Sequence, residues 1–405
     1  MGEKVSIYRW VMVVITWLML FALGASWFCF TPMTLIVMKD LTMTFEQVGI
    51  IIALVPLSLV ILCIPGGLFA DRFGIRLTVT IGGVIMGVFG LLRCFAADFT
   101  MLAITTFLCG VGYSITYPNL PKVTGMWFPS KEYALASGVM FTGMEVGIAL
   151  PLILIPAVLL PWIGSWRGVF MVFGIISLFL TGVWTALAKE RPKLAVSLAD
   201  PSGERRGVPF KEALSAVLRN KHMWILMLTT LFLLAPQIGL LGFLPSMLEL
   251  KGMERTTAGL VTSMISWFMI PSSFIIPMIS DRVGVRKPFV WGTSILASFT
   301  IYAVGTTIDL PLWASAITYG FLIGGMAPIV LAMPVELMGP LYAATAGGFM
   351  LVGGYIGALI GPLLTGYLST ATGSFISAVF MCMAFTGMEA ICGLMLKETG
   401  RRARA

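Results

Sequence analysis

The chain has 405 residues, 58% of them hydrophobic and only 11% charged, with 26 Lys+Arg against 18 Asp+Glu and a formal net charge of +8. Soluble domains carry roughly 25% charged residues. This chain has too few to cover a water-facing surface, so lipid must be the solvent for most of it. The six Cys (Cys29, Cys63, Cys94, Cys109, Cys382, Cys392) are scattered, mostly inside apolar runs and without metal-ligand spacing, and read as small hydrophobes. The single His, His222, lies beside Lys221 where an apolar run begins. There is no phosphate-binding Gly-rich loop, no His-based metal set and no triad, so neither an enzyme nor a bound cofactor or metal is expected.

In chain order, apolar runs lie at about 10–37, 47–70, 77–96, 100–121, 133–159, 166–188, 222–248, 257–280, 288–307, 311–333, 342–368 and 374–396. A spanning helix needs about 20 apolar residues, so these are spans 1 to 12. The first run is too long for a signal-peptide core, and no small-residue cleavage pattern follows it. The only long polar segment, 189–221, contains Pro192, Pro201, Pro209, Arg205 and Arg206 and reads as a linker. It divides the chain into 1–188, the linker 189–221, and 222–405. With the N-terminus placed in the cytoplasm, 21 of the 26 Lys/Arg fall in cytoplasmic segments. Four (Lys39, Arg167, Lys251, Arg255) fall outside, and Arg93 alone lies within a span. That steep positive-inside bias, with an even number of spans, predicts that both termini are cytoplasmic. It also accounts for the net charge without nucleic acid.

The chain repeats itself. Gly67-Leu-Phe-Ala-Asp71-Arg72-Phe-Gly74-Ile75-Arg76, between spans 2 and 3, returns as Pro277-Met-Ile-Ser-Asp281-Arg282-Val-Gly284-Val-Arg286, between spans 8 and 9, at an offset of 210 residues. In the same register Gly49, Gly82, Gly110, Pro118, Gly138, Gly143 and Gly147 meet Gly259, Gly292, Gly320, Pro328, Gly348, Gly353 and Gly357. Glycine and proline mark backbone constraints rather than greasiness, and internal repeats recur in transporter folds. The turn has about six residues in which to reverse the chain. Gly74 and Gly284 supply backbone freedom, Asp71 closes the end of span 2, and the arginines can fork onto carboxylates or helix-end carbonyls. A cluster of this kind can clamp one half of the molecule against the other and release it. A plain cytoplasmic turn would need only the arginines.

On these residues the chain resembles the major facilitator superfamily, in its bacterial type. The first copy fits that family's loop pattern G-x-x-x-D-R-x-G-R-R/K at Gly67, Asp71, Arg72, Gly74 and Arg76 and departs at Ile75; in the second, Pro277 replaces the first Gly. The resemblance implies an all-α membrane protein of twelve helices in two pseudo-symmetric six-helix bundles. It implies a central cavity opened alternately to either side, lined by spans 1, 4, 7 and 10 with parts of 2, 5, 8 and 11. It further implies a monomer in the cytoplasmic (inner) membrane that moves a small-molecule substrate, driven by protons, with lipid as its other partner.

An ionisable group at membrane depth costs roughly 2.5–3.5 kcal/mol on insertion scales and needs a reason. Glu145, amid Gly143-Met-Glu-Val-Gly147 in span 5, is the clearest case; its repeat mate is Tyr355. The two glycines share one face, suited to close helix packing, and Glu145 points elsewhere. It is a candidate proton carrier or substrate contact, or else a structural carboxyl paired to a neighbour. Arg93 lies near the external end of span 3, where snorkelling explains it, with a substrate role as the alternative. Glu389 belongs to an outer helix. Lys122 and Glu336 close spans 4 and 10 and fit either an inner gate or the interface. Tyr113 and Tyr117 share a face of span 4, and Pro118, Asn119 and Pro121 predict a kink there. Gln237 follows Pro236 in span 7, opposite Trp27 in the repeat. Polar groups beside broken helices mark transporter sites, although aromatics in a membrane chain usually serve packing. Trp17 and Trp267 complete the candidates.

Two substrate classes compete: proton-coupled uptake of a small, monocarboxylate-like organic anion, and proton-driven efflux of hydrophobic compounds. The antiporter pattern G-x-x-x-G-P-x-x-G-G of span 5 is half present, with Ile148 in place of its Pro. Uptake is therefore preferred. The span 8 Arg/Asp arrangement of animal monocarboxylate carriers is absent, however, and so are the span 2 and span 8 arginines of nitrate carriers. A transporter-like receptor is the remaining alternative, although both termini are short.

Overall fold

The structure, a computed structural model, describes residues 8–190 and 210–401. Pro192, Pro201, Pro209, Arg205 and Arg206 of the linker lie outside them. Within the described residues every element is helical, and twelve helices are long and apolar enough to cross a membrane. They are span 1, Tyr8–Asp40; span 2, Phe45–Phe73; span 3, Ile75–Phe95; span 4, Phe99–Trp127; span 5, Leu135–Ile163; span 6, Trp166–Leu187; span 7, Lys221–Leu250; span 8, Arg255–Val283; span 9, Lys287–Thr306; span 10, Asp309–Met338; span 11, Pro340–Thr372; and span 12, Ile376–Met395. Each matches one apolar run. Most extend past the run at one end or both, because a helix continues into the interface after its apolar residues stop. The segment read as a linker contains an amphipathic helix, Phe210–Arg219.

Several spans are interrupted. Span 1 is helical over Tyr8–Phe28, passes a tight turn at Thr31–Met33 and resumes at Thr34; Pro32 removes an amide there. Span 4 breaks at Tyr117–Asn119 around Pro118, as its prolines predict. Span 7 does not break: one helix runs Lys221–Leu250 through Pro236 and Pro245. Gln237 therefore does not sit beside a broken helix. The repeated turn is also tighter than six residues. Span 2 stays helical through Asp71 and Arg72 to Phe73, and span 3 starts at Ile75, so the reversal rests on Gly74 at φ +88°. Gly284 takes φ +80° at the same register. An L side chain is strained at such angles, which is why both copies have glycine.

Contacts group the chain into two units, Met1–Thr42 with Leu57–Arg205, and Met43–Pro56 with Arg206–Ala405. The repeat governs packing inside each. In the first, Gly143 and Gly147 of span 5 press on the backbone of Trp17 and Phe21 in span 1; in the second, Gly353 and Gly357 of span 11 press on Met227 and Leu231 in span 7. All four contacts keep the 210-residue offset. Segment 43–56, the start of span 2, packs in the second unit. Gly49 lies against Pro362 and Gly366, Phe45 against Phe243 and Phe375, and the Glu46 amide donates to Thr370 Oγ1 at 2.9 Å. Phe45 and the tight fit at Gly49 explain why this piece leaves the rest of its helix's unit.

Candidate functional site

In the first unit, spans 1, 4 and 5 build an aromatic wall around one carboxyl. The glycine stripe brings span 5 onto span 1, where Trp17 Nε1 donates to Thr142 Oγ1 at 3.0 Å and the Trp17 and Phe21 rings stack at 5.9 Å. On span 4 the Tyr113 and Tyr117 rings stack at 5.5 Å, and Trp27 meets Tyr113 edge-on at 5.7 Å. The Tyr113 hydroxyl points to Met144 Sδ at 3.7 Å. The next residue is Glu145, off the glycine stripe as its spacing requires. Its Oε2 is buried and receives no hydrogen bond, and Tyr117 lies within electrostatic reach of it and of Cys63. An unpaired carboxyl oxygen in apolar surroundings is costly. The reading of Glu145 as a structural carboxyl held by a neighbouring hydroxyl has no support at that oxygen. Four candidates, Trp27, Tyr113, Tyr117 and Glu145, thus come together.

Asn119 does not join the wall. Fully buried, it donates through Nδ2 to Gly66 O at 3.0 Å and to Ile115 O at 2.8 Å. It ties the broken part of span 4 to span 2.

Arg93 does not snorkel. It is 2% exposed, and its guanidinium turns inward to the Ser26 carbonyl at 2.9 Å, the Ser26 hydroxyl at 3.1 Å and the Gly90 carbonyl at 3.3 Å, with its Cζ 4.7 Å from the Phe170 ring centroid. Ser26 lies at the end of the first helix of span 1, where carbonyls lose their intrahelical partners and a cation is favoured by the helix dipole. Arg93 therefore fixes the helix end that presents Trp27. This role could have been sought in the sequence: an arginine in span 3 facing a Pro-interrupted span 1 has unpaired carbonyls available.

In the second unit, Gln237 is 9% exposed and its Nε2 approaches Met269 Sδ at 3.8 Å. Tyr355, the repeat mate of Glu145, is 8% exposed on span 11, and Trp267 is half-buried in span 8. Glu389, assigned to an outer helix, is nevertheless only 2% exposed.

The repeated turns are wired differently. Asp71 Oδ1 takes Lys122 Nζ at 2.6 Å, and Lys122 also reaches the Gly67 carbonyl at 3.3 Å. Arg76 forks onto the Thr185 carbonyl near the end of span 6, at 3.1 and 2.7 Å, as expected of arginine at a helix end. In the second turn, Arg286 joins Asp281 at 2.7 Å to Glu336 at 3.2 Å. Lys122 and Glu336 are therefore partners of the turns within their own units. Arg72 and Arg282 are exposed. Sequence reasoning missed two carboxylates. Glu190 Oε1 accepts the Arg76 amide at 3.2 Å; Glu398 accepts the Arg286 and Lys287 amides at 2.7 and 3.1 Å. Each caps the helix after the turn, where free amides favour an anion. The signal was a Lys-Glu pair just past spans 6 and 12, at Lys189-Glu190 and Lys397-Glu398. Among the described residues no group of three His, Cys, Asp or Glu could hold a metal ion.

Known proteins place this arrangement. The chain is 24% identical over 384 residues to the probable sulfoacetate transporter of Cupriavidus necator, covering 89% of this chain and 87% of that protein. It is 28% identical over 330 residues to the 3-(3-hydroxy-phenyl)propionate transporter of Escherichia coli, covering 80% and 77%. Its fold matches the crystal structure of a bacterial homologue of the human lysosomal transporter Spinster with a TM-score of 0.80 at 18% identity, over 97% of this chain and 99% of that one. The sequence profile of the Major Facilitator Superfamily matches residues 16–257 and 239–404. Twelve spans, a duplicated glycine framework, two Asp-Arg turns and a profile match over nearly the whole chain agree: this membrane protein belongs to the Major Facilitator Superfamily of transporters.

Proposed function

We propose that the protein takes up a small organic anion together with protons across the cytoplasmic membrane, by alternating access, with both termini in the cytoplasm. One observation carries the reading: the buried, unpaired Oε2 of Glu145 beside the Trp27–Tyr113–Tyr117 wall. The two curated relatives are named for organic acids, sulfoacetate and 3-(3-hydroxy-phenyl)propionate, which supports an anionic substrate. The steep Lys/Arg bias supports the orientation.

Coupling follows from charge. A substrate carboxylate approaching an ionised Glu145 meets a like charge in a poorly screened place. Binding therefore favours the carrier in which Glu145 holds a proton, and by linkage the anion favours proton uptake. Proton and anion cross as a neutral pair. The aromatic edges and the tyrosine hydroxyls supply apolar contact and hydrogen bonds to the solute. Gln237 and Tyr355 are the corresponding candidates on the second unit. The repeated turns with their Asp, Arg and Gly residues (Asp71, Arg72, Gly74, Arg76, Asp281, Arg282, Gly284, Arg286, and Gly67 before the first) act as the conformational switch.

The test uses purified protein in proteoliposomes, after a thermal-shift screen against small carboxylates, inorganic anions and lipophilic cations. An inward proton gradient should drive accumulation of the stabilising carboxylate. Glu145→Gln should abolish that accumulation and leave solute exchange largely intact, because the neutral amide mimics the proton-loaded state. Accumulation by the variant at the wild-type level would remove Glu145 from coupling. Stabilisation by lipophilic cations alone would instead favour efflux.

A further inference from the structure

We propose that the linker helix Phe210–Arg219 forms, with Tyr342, a binding site for the headgroup phosphate of an anionic phospholipid. The helix is held by one face. Ala213 and Val217 are 4% and 0% exposed, and Val217 packs with Met223, Leu226, Met333 and Met350 of the second unit's core. The opposite face presents Lys211, Ser215 and Arg219, spaced i, i+4, i+8 and so aligned along the helix. With Glu212, Ala216 and Tyr342 they line an open cavity of about 570 Å³, within the size range of small-molecule sites. Among the described residues neither Lys211 nor Arg219 forms an ion pair. Two unengaged cations and two hydroxyls around one hollow suit a phosphate, which takes charge-assisted hydrogen bonds from such groups. Glu212 is the one acid in the lining.

The position selects a lipid over a soluble phosphate. The helix ends one residue before span 7 begins at Lys221, with Asn220 accepting the His222 amide between them. Leu218 and Leu341, next in sequence to Arg219 and Tyr342 of the lining, are 41% and 58% exposed; Trp224, 44% exposed, donates through Nε1 to the Leu218 carbonyl at 2.9 Å. An exposed Trp at the end of a spanning helix marks the membrane–water boundary. An amphipathic helix lying there, basic on its outer face, gains from anionic headgroups. The apolar trio then meets the acyl chains while the cavity meets the phosphate.

Native mass spectrometry of the full-length protein in neutral detergent, titrated with phosphatidylglycerol or phosphatidylcholine, tests this. Wild type should retain one phosphatidylglycerol more tightly than phosphatidylcholine. The double change Lys211→Gln/Arg219→Gln should weaken that retention by about 25-fold, roughly fivefold for each interfacial cation. Both side chains are exposed, so folding, followed by thermal unfolding, should be unchanged. Glu212→Gln, which removes the opposing charge, should tighten retention. Equal retention of the two lipids by wild type, or retention that follows neither substitution, overturns the site. Displacement of the lipid by millimolar glycerol 3-phosphate would show a site for free phosphate and overturn the lipid assignment.

Discussion

Asp71 and Glu336 both pair with a basic group beside a repeated turn, yet their surroundings differ. The Asp71 side chain is 67% exposed and its partner Lys122 36%; Glu336 is 17% exposed and Arg286 13%. Exposed pairs contribute about 0–1 kcal/mol because water and salt screen them. Hydrogen bonds to a charged group away from water are worth roughly 1.5–3 kcal/mol, and Glu336 also accepts from Thr399 Oγ1 at 2.6 Å. Asp71→Asn should therefore leave thermal stability nearly unchanged while slowing transport, if the turn acts as a switch. Glu336→Gln should lower stability measurably. Normal flux in the Asp71 variant would reduce its turn to a structural feature, and an unchanged melting temperature in the Glu336 variant would refute the ranking. At this scale the sequence was partly legible. Glu145 stood out because an acid in an apolar run needs a reason. The depth of Arg93 was visible but its direction was not. A guanidinium near a helix end can reach either water or a neighbour's carbonyl, and only packing decides.

Helix packing tests the duplication more directly than any side chain. Glycines of spans 5 and 11 let two helices touch backbone to backbone, and a Cβ at Gly147 or at Gly357 would overlap the carbonyl of Phe21 or Leu231 respectively. Inserting bulk into such a contact costs typically 1–3 kcal/mol. Gly147→Leu and Gly357→Leu should therefore destabilise the purified protein by similar amounts, read as a fall in melting temperature. Gly164→Ala is a poor control because its φ of +71° is itself strained, whereas Gly182→Ala, which meets nothing within 4 Å, should leave stability intact. A large effect at Gly147 with none at Gly357 would mean that the glycine match is coincidental. The glycine register was readable in advance because it depends on backbone approach, which only glycine permits. The linker helix was missed because its apolar positions, Ala213 and Val217, are small and its flanks are rich in proline. The capping glutamates were missed because a carboxylate that caps a helix distant in sequence leaves only a local Lys-Glu pair to read.

For the whole molecule, the telling element is span 2. Its first turns, 43–56, pack with spans 7 and 11 and with Phe375 of the second unit, while residues from Leu57 to Arg205 belong to the first. Both residues of the Glu46–Thr370 contact lie in the second unit, and the proposed transport cycle opens it if the start of span 2 moves away from span 11. A Cys placed at each of these positions, in a background lacking the six native Cys, should join readily through a short bis-maleimide, since the Glu46 amide and Thr370 Oγ1 are 2.9 Å apart. The cross-linked protein should retain its fold and its solute-induced thermal shift but lose net flux, and either single-Cys protein treated alike should transport normally. Undiminished flux through the fully cross-linked protein would mean that this contact never opens, and that movement of span 2 away from span 11 has no part in transport.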